Sequence, residues 1–176
     1  EQREAIRLMT DVLDALSCAH AEGIIHRDLK PENIMITKTG VRRNAMVLDF
    51  GLGGFAIDVG IETARLTATH EMMGTPCYAA PEQLRGETPS PRSDIYSWGL
   101  IFLECLTGEI AVGGGTTHDV LLRQLSPEPV ALPPAIRGQR IGRMLEAVTT
   151  KNVEERRVTI AGLLEILGVT KQSLNR

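Results

Sequence analysis

The chain has 176 residues, 43% of them hydrophobic, with a net charge of −3 and a pI near 5.8. That is enough apolar material for one domain with a sizeable core, and too little length for two comfortable ones. With 19 Lys and Arg against 22 Asp and Glu and no basic cluster, the chain lacks the positive field that grips a phosphate backbone, so nucleic acid is not the expected partner.

Cys18, Cys77 and Cys105 are odd in number and widely spaced, which fits free thiols in a reducing cytoplasm better than a zinc site or a disulfide scaffold. The most apolar run, "GLIFLECL" at 99–106, is broken by Glu104 and is far shorter than the ~20 residues that span a bilayer. No membrane segment is expected, and no cleavable signal opens the chain. The first residue is Glu1 and not Met, so the chain is expected to begin inside a longer polypeptide.

From Gln2 to Glu22 the apolar residues Ile6, Met9, Leu13, Leu16 and Ala19 recur every three or four positions and Gly23 follows, the pattern of an amphipathic helix with its stop. "NIMIT" at 33–37 and "AMVLDF" at 45–50 flank a polar turn at Gly40 and predict a small hairpin. Residues 51–92 are rich in Gly, Thr and Pro, a loop composition of a length that structureless connections reach mainly when they are functional. "SDIYSWGLIFLECLTG" at 93–108 is apolar on nearly every side and predicts a helix at the centre of the domain. Thr116 and Asp119 are spaced as a capping box for a short helix through Gln124, a Pro-rich connector runs from Ser126 to Pro134, and two helices near 138–149 and 158–167 close the chain. The expected fold is mainly α with one small β-hairpin.

Three motifs stand in order: "HRDLKPEN" at 26–33, "DFG" at 49–51 and "APE" at 80–82. With them the sequence resembles the C-terminal lobe of a eukaryotic-type serine/threonine protein kinase, of bacterial kind, over nearly its whole length. The resemblance implies one domain over 1–176, with a catalytic loop at 24–37, an activation segment at 49–82 and a central buried helix at 93–107. It implies ATP and Mg²⁺ as cofactors and proteins carrying Ser or Thr hydroxyls as substrates.

The chemistry of phosphoryl transfer explains why such residues belong together. The protein does little covalent work; it aligns a hydroxyl with a γ-phosphate and neutralises the charge spread over its oxygens. By the resemblance, Asp28 receives or orients the hydroxyl proton, and Lys30 places a compact positive charge over the transferring group. Asn33 and Asp49 supply hard oxygen ligands for Mg²⁺. Met35 is similar to the apolar floor beneath an adenine ring. Thr75, in "GTPCYAAPE" at 74–82, is implied to contact Asp28 and Lys30, and with Lys30 it points to Ser/Thr rather than Tyr specificity.

Arg27 resembles the arginine of kinases activated by phosphorylation of the segment after DFG, and Thr67 and Thr69 in "TAT" are the expected regulatory sites. The resemblance gives structural roles to His26, Phe50 and Gly51. It gives Asp94 the acceptance of backbone N–H groups from the catalytic loop, and it pairs Glu82 with Arg157. No Gly-rich phosphate loop or strand lysine precedes Lys30, the first lysine in the chain. The chain is therefore expected to need an N-terminal lobe as partner and to be inactive without it, and the resemblance to bacterial kinases leaves room for a fused downstream signalling domain. Two other function classes fit parts of the sequence: a non-catalytic docking module built on a kinase lobe, and a dinucleotide site at "GLGGFA", 51–56, with Glu71. The first has to accommodate the intact Asp28, Lys30, Asn33 and Asp49, and the second leaves the octet unexplained.

Overall fold

A computed structural model describes residues 2–50 and 76–168. Helix α1, Gln2–Ala21, buries Met9, Val12, Leu13 and Leu16 along one stripe and presents its charged residues opposite. It ends at Gly23, whose φ of +74° is a left-handed conformation that a Cβ would strain. A single 3-10 turn at Pro31–Asn33 leads into the antiparallel pair β1, Ile34–Thr39, and β2, Arg42–Val47, whose register sets Met35 opposite Met46 and Ile34 opposite Val47. One face of the hairpin, through the buried Ala45, lies against α1, where the Ala45 amide donates to Asp11 Oδ2 at 3.0 Å. Met35 and Met46 are 43% and 48% exposed on the hairpin.

After a short helix α2, Pro81–Leu84, comes the central helix α3, Pro91–Thr107. It opens two residues before the sequence pattern predicts. Pro91 takes the first helical position, where its missing N–H costs nothing, and Ser90 caps it by accepting from the Arg92 amide. Ser93 returns the favour by accepting from the Ser90 amide at 3.0 Å. Eleven consecutive residues from Ser93 to Leu103 are buried, and each fully buried Leu, Phe or Ile contributes roughly 1.5–3 kcal/mol. Burial therefore holds α3 in place, and its low amphipathicity follows from contact on all sides. Gly99 permits a close approach to α5: a Cβ there would meet Val148 Cγ2 at 2.5 Å.

Helix α4, Thr117–Leu125, carries the expected Thr116–Asp119 capping box, and α5, Arg140–Val148, and α6, Ile160–Ile166, complete the domain. Helices α1, α3, α5 and α6 share one core containing Trp98, Phe102, Leu145 and Leu163. None of the described helices is long and apolar enough to cross a membrane.

Candidate active site

The octet at 26–33 is held by the domain's core from beneath. Asp94, buried at the start of α3, accepts from the His26 amide at 2.9 Å, from His20 Nε2 at 2.7 Å and from the Arg27 amide at 3.0 Å. Because a carboxylate only accepts, His20 must carry its hydrogen on Nε2. These bonds hold Arg27 at φ +70°, in a region that non-glycine residues enter at a cost of roughly 1–3 kcal/mol. From the far side, Gln83 Nε2 donates to the Arg27 carbonyl at 2.6 Å.

His26 is fully buried with both ring nitrogens committed. Nε2 donates to the Leu48 carbonyl at 2.8 Å, Nδ1 accepts from the Asp28 amide at 3.3 Å, and the ring lies 4.9 Å from that of Phe50. It has no lone pair left to take a substrate proton, so its contribution is to join the octet to the end of β2.

Above this base two side chains, Lys30 and Asn33, meet on the Asp28 carboxylate. Lys30 Nζ lies 2.8 Å from Asp28 Oδ2, and Asn33 Nδ2 donates to the same oxygen at 3.3 Å and to the Asp28 carbonyl at 2.7 Å. The Asp28 and Lys30 side chains are 28% and 21% exposed, so the group is open to a ligand. An ion pair so placed adds little stability. Both partners of the Asn33 nitrogen are acceptors, which fixes the amide's orientation and turns its oxygen away as a hard donor.

Asp49 reaches the same neighbourhood through the backbone. The Leu48 amide donates to the Asn33 carbonyl at 2.8 Å, one step beyond the Ile34–Val47 pair. Asp49 follows at once, exposed and with φ +56°, and makes no hydrogen bond or ion pair to the other three among the described residues. An amide oxygen and a carboxylate at adjoining backbone positions are the donor chemistry that Mg²⁺ takes. Tyr78, Ala79 and Ser97 share a small cavity with Asp28 and Lys30 and form the opposite wall. A separate cavity of about 1280 Å³, between Pro127–Leu132 and Thr149–Glu155, contains none of the octet.

A model of the protein kinase domain matches residues 1–162. The chain belongs to the protein kinase family. It is 37% identical over 152 residues to serine/threonine-protein kinase PkaA of Streptomyces coelicolor, covering 86% of this chain and 27% of that protein. It is 40% identical over 149 residues to serine/threonine-protein kinase PknB of Mycolicibacterium smegmatis, covering 85% and 23%. A probable serine/threonine-protein kinase PknB of Lactococcus lactis is 33% identical over 176 residues, 98% of this chain and 26% of its own. The chain thus spans about a quarter of the length of these curated relatives.

Within this kinase-family chain one sequence expectation needs correction. Glu82 pairs with Arg156 and not with Arg157. Arg156 is completely buried: Nη1 donates to Glu82 Oε1 at 2.7 Å and Nη2 to Oε2 at 3.2 Å, while Nε holds the Thr150 carbonyl at 2.9 Å. Its guanidinium lies 4.7 Å from the centre of the Tyr96 ring. Arg157, one residue on, is exposed and, among the described residues, reaches only the Glu154 carbonyl at 3.5 Å. The reason is the turn in which the Arg156 amide returns to the Asn152 carbonyl; it directs one arginine inward and the next outward. Two adjacent arginines in a sequence do not reveal which faces in.

Burial works against the ionised form of Glu82, but the Arg156 hydrogen bonds and charge outweigh it and hold the carboxyl below its usual range. Thr67, Thr69, Thr75, Gly51 and the "GLGGFA" stretch lie outside the described residues. Sequence reasoning missed His20, Gln83, Gln124 and Lys151, all of which act through partners distant in the chain.

Proposed function

We propose that this chain is the large lobe of a protein serine/threonine kinase, transferring the γ-phosphoryl group of ATP to Ser or Thr hydroxyls. The observation that carries this is the meeting of Lys30 and Asn33 on the partly exposed Asp28 carboxylate, with Asp49 delivered beside Asn33 by the backbone ladder. In the transfer, a bond forms between the acceptor oxygen and the γ-phosphorus, the bridging P–O bond to the β-phosphate breaks, and the acceptor's proton passes to Asp28. Lys30 and Asn33 already engage Asp28 Oδ2, so among the described residues Oδ1 is the oxygen left for the incoming hydroxyl. Lys30 is placed to move from Asp28 to the more highly charged phosphoryl group when substrate arrives. Asn33 and Asp49 would hold Mg²⁺, whose charge offsets that of the triphosphate. The exposed Met35 and Met46 supply an apolar surface suited to a purine ring, and a second lobe would close over it.

The test is phosphate transfer from ATP to casein by the full-length protein in Mg²⁺. Asp28→Asn should slow transfer by about 10²–10⁴-fold, the usual contribution of a positioned acid or base, with Tm nearly unchanged. Transfer at the unaltered rate in that variant would remove Asp28 from the chemistry.

A further inference from the structure

Helix α4 buries only Val120 and Gln124. A fully buried amide on an otherwise solvent-facing helix needs partners for every hydrogen and lone pair, or each unmet group costs about 1–3 kcal/mol. Gln124 meets all of them with groups from other elements. Nε2 donates to the carbonyls of Pro76 at 3.2 Å and Cys77 at 2.8 Å. Oε1 accepts from the Tyr96 hydroxyl of α3 at 2.6 Å and from Lys151 Nζ at 3.0 Å.

Two carbonyls on one side and two donors on the other allow the amide a single orientation. Lys151 fixes it further. Its ammonium also lies 2.9 Å from the Tyr96 hydroxyl and 3.2 Å from the carbonyls of Arg123 and Gln124, so that its three hydrogens are shared among four acceptors. These carbonyls lie in the last turn of α4, where the helix dipole favours a cation. The side chain of Gln124 is therefore clamped from behind and presents two hydrogens to the chain at Pro76–Cys77.

That chain runs directly into the wall of the candidate site. Tyr78 and Ala79 share the cavity with Asp28 and Lys30, and Ser97 Oγ donates to the Tyr78 carbonyl at 2.7 Å. Tyr78 and Ala79 thus stand beside the carboxylate proposed to receive the acceptor hydroxyl, whereas the apolar surface at Met35 and Met46 is part of the hairpin. We propose that Gln124, clamped by Tyr96 and Lys151, is a positioning residue that sets the Pro76–Cys77 edge of the acceptor site and governs affinity for the phosphoryl acceptor rather than for the nucleotide.

This rests on the phosphotransfer proposed above and says what controls its acceptor. Alignment of the hydroxyl is the step most sensitive to small displacements, since a shift of about 1 Å can cost up to about 10²-fold in rate.

The experiment uses full-length protein with Gln124→Glu and, separately, Gln124→Met. Glutamate keeps the size and the acceptor for Tyr96 and Lys151 but turns an oxygen toward two carbonyls; methionine removes the donors without adding charge. KM is measured for a Ser-containing acceptor peptide and for ATP, with Tm alongside. The expected result is a rise of about tenfold or more in acceptor KM in both variants, with ATP KM within about twofold of the unaltered protein. Equal loss in both constants, no change in either, or collapse of the fold in both variants would leave Gln124 a purely structural role and overturn the proposal. Absence of transfer by the unaltered protein would overturn the phosphotransfer itself, and this inference with it.

Discussion

The molecule carries two charged clusters of opposite character. Asp28, Lys30 and Asn33 come from one stretch of eight residues, are partly exposed, and, among the described residues, leave Asp28 Oδ1 without a partner. Glu82, Tyr96 and Gln124 come from three different helices and Lys151 and Arg156 from the loop before α6; all five are buried and joined by hydrogen bonds. Among the described residues no buried side-chain nitrogen or oxygen is left without a partner. Open charge can react but adds little to the fold, while closed charge is spent on geometry and is expensive to disturb.

The largest effect should come from breaking the closed cluster. Arg156→Ala strands the Glu82 carboxylate among buried groups and should cost about 3–5 kcal/mol of unfolding free energy, read from urea titration. The exposed neighbour Arg157→Ala is the control and should stay within about 0.5 kcal/mol. The reverse ranking of these two variants would contradict the inward placement of Arg156.

An intermediate effect tests the bridge between the clusters. Asp94→Asn turns an amide hydrogen toward at least one of three donors and should cost about 1–3 kcal/mol. It also releases the strained Arg27 backbone, so phosphate transfer should fall even where the protein remains fully folded. An Asp94→Asn protein with unaltered stability and transfer would show that the octet does not depend on this support.

The last effect is a pH dependence. Burial first, and then the charges of Arg156 and Arg85, push the Lys151 ammonium down to about 8 from an ordinary 10.5. Between those values the unfolded chain binds the proton and the folded chain releases it, so stability gains with rising pH. The unaltered protein should therefore gain stability relative to Lys151→Met as pH rises from about 8 to 10.5; a constant difference would mean that Lys151 is not the titrating group.

Legibility in the sequence followed the distance over which residues cooperate. The register of α1, the hairpin and the Thr116–Asp119 cap were readable because periodicity and capping act within one or two turns. The start of α3 was misplaced because Ser93 and Asp94 resemble opening residues; in the fold Ser93 donates to Glu82 at 2.8 Å and Asp94 holds the octet. Gln124 gave no signal at all, since a glutamine on an amphipathic helix is ordinarily a solvated residue.

By itself the sequence determined the composition of the candidate site, because Asp28, Lys30 and Asn33 are close neighbours that a single loop can bring into contact. Only the tertiary structure decided which arginine meets Glu82, that His20 joins Asp94, and that Gln124 grips the chain at Pro76–Cys77. Contacts between residues dozens of positions apart depend on how helices pack and turns point, and a buried polar group shows its purpose only when its partners are in place.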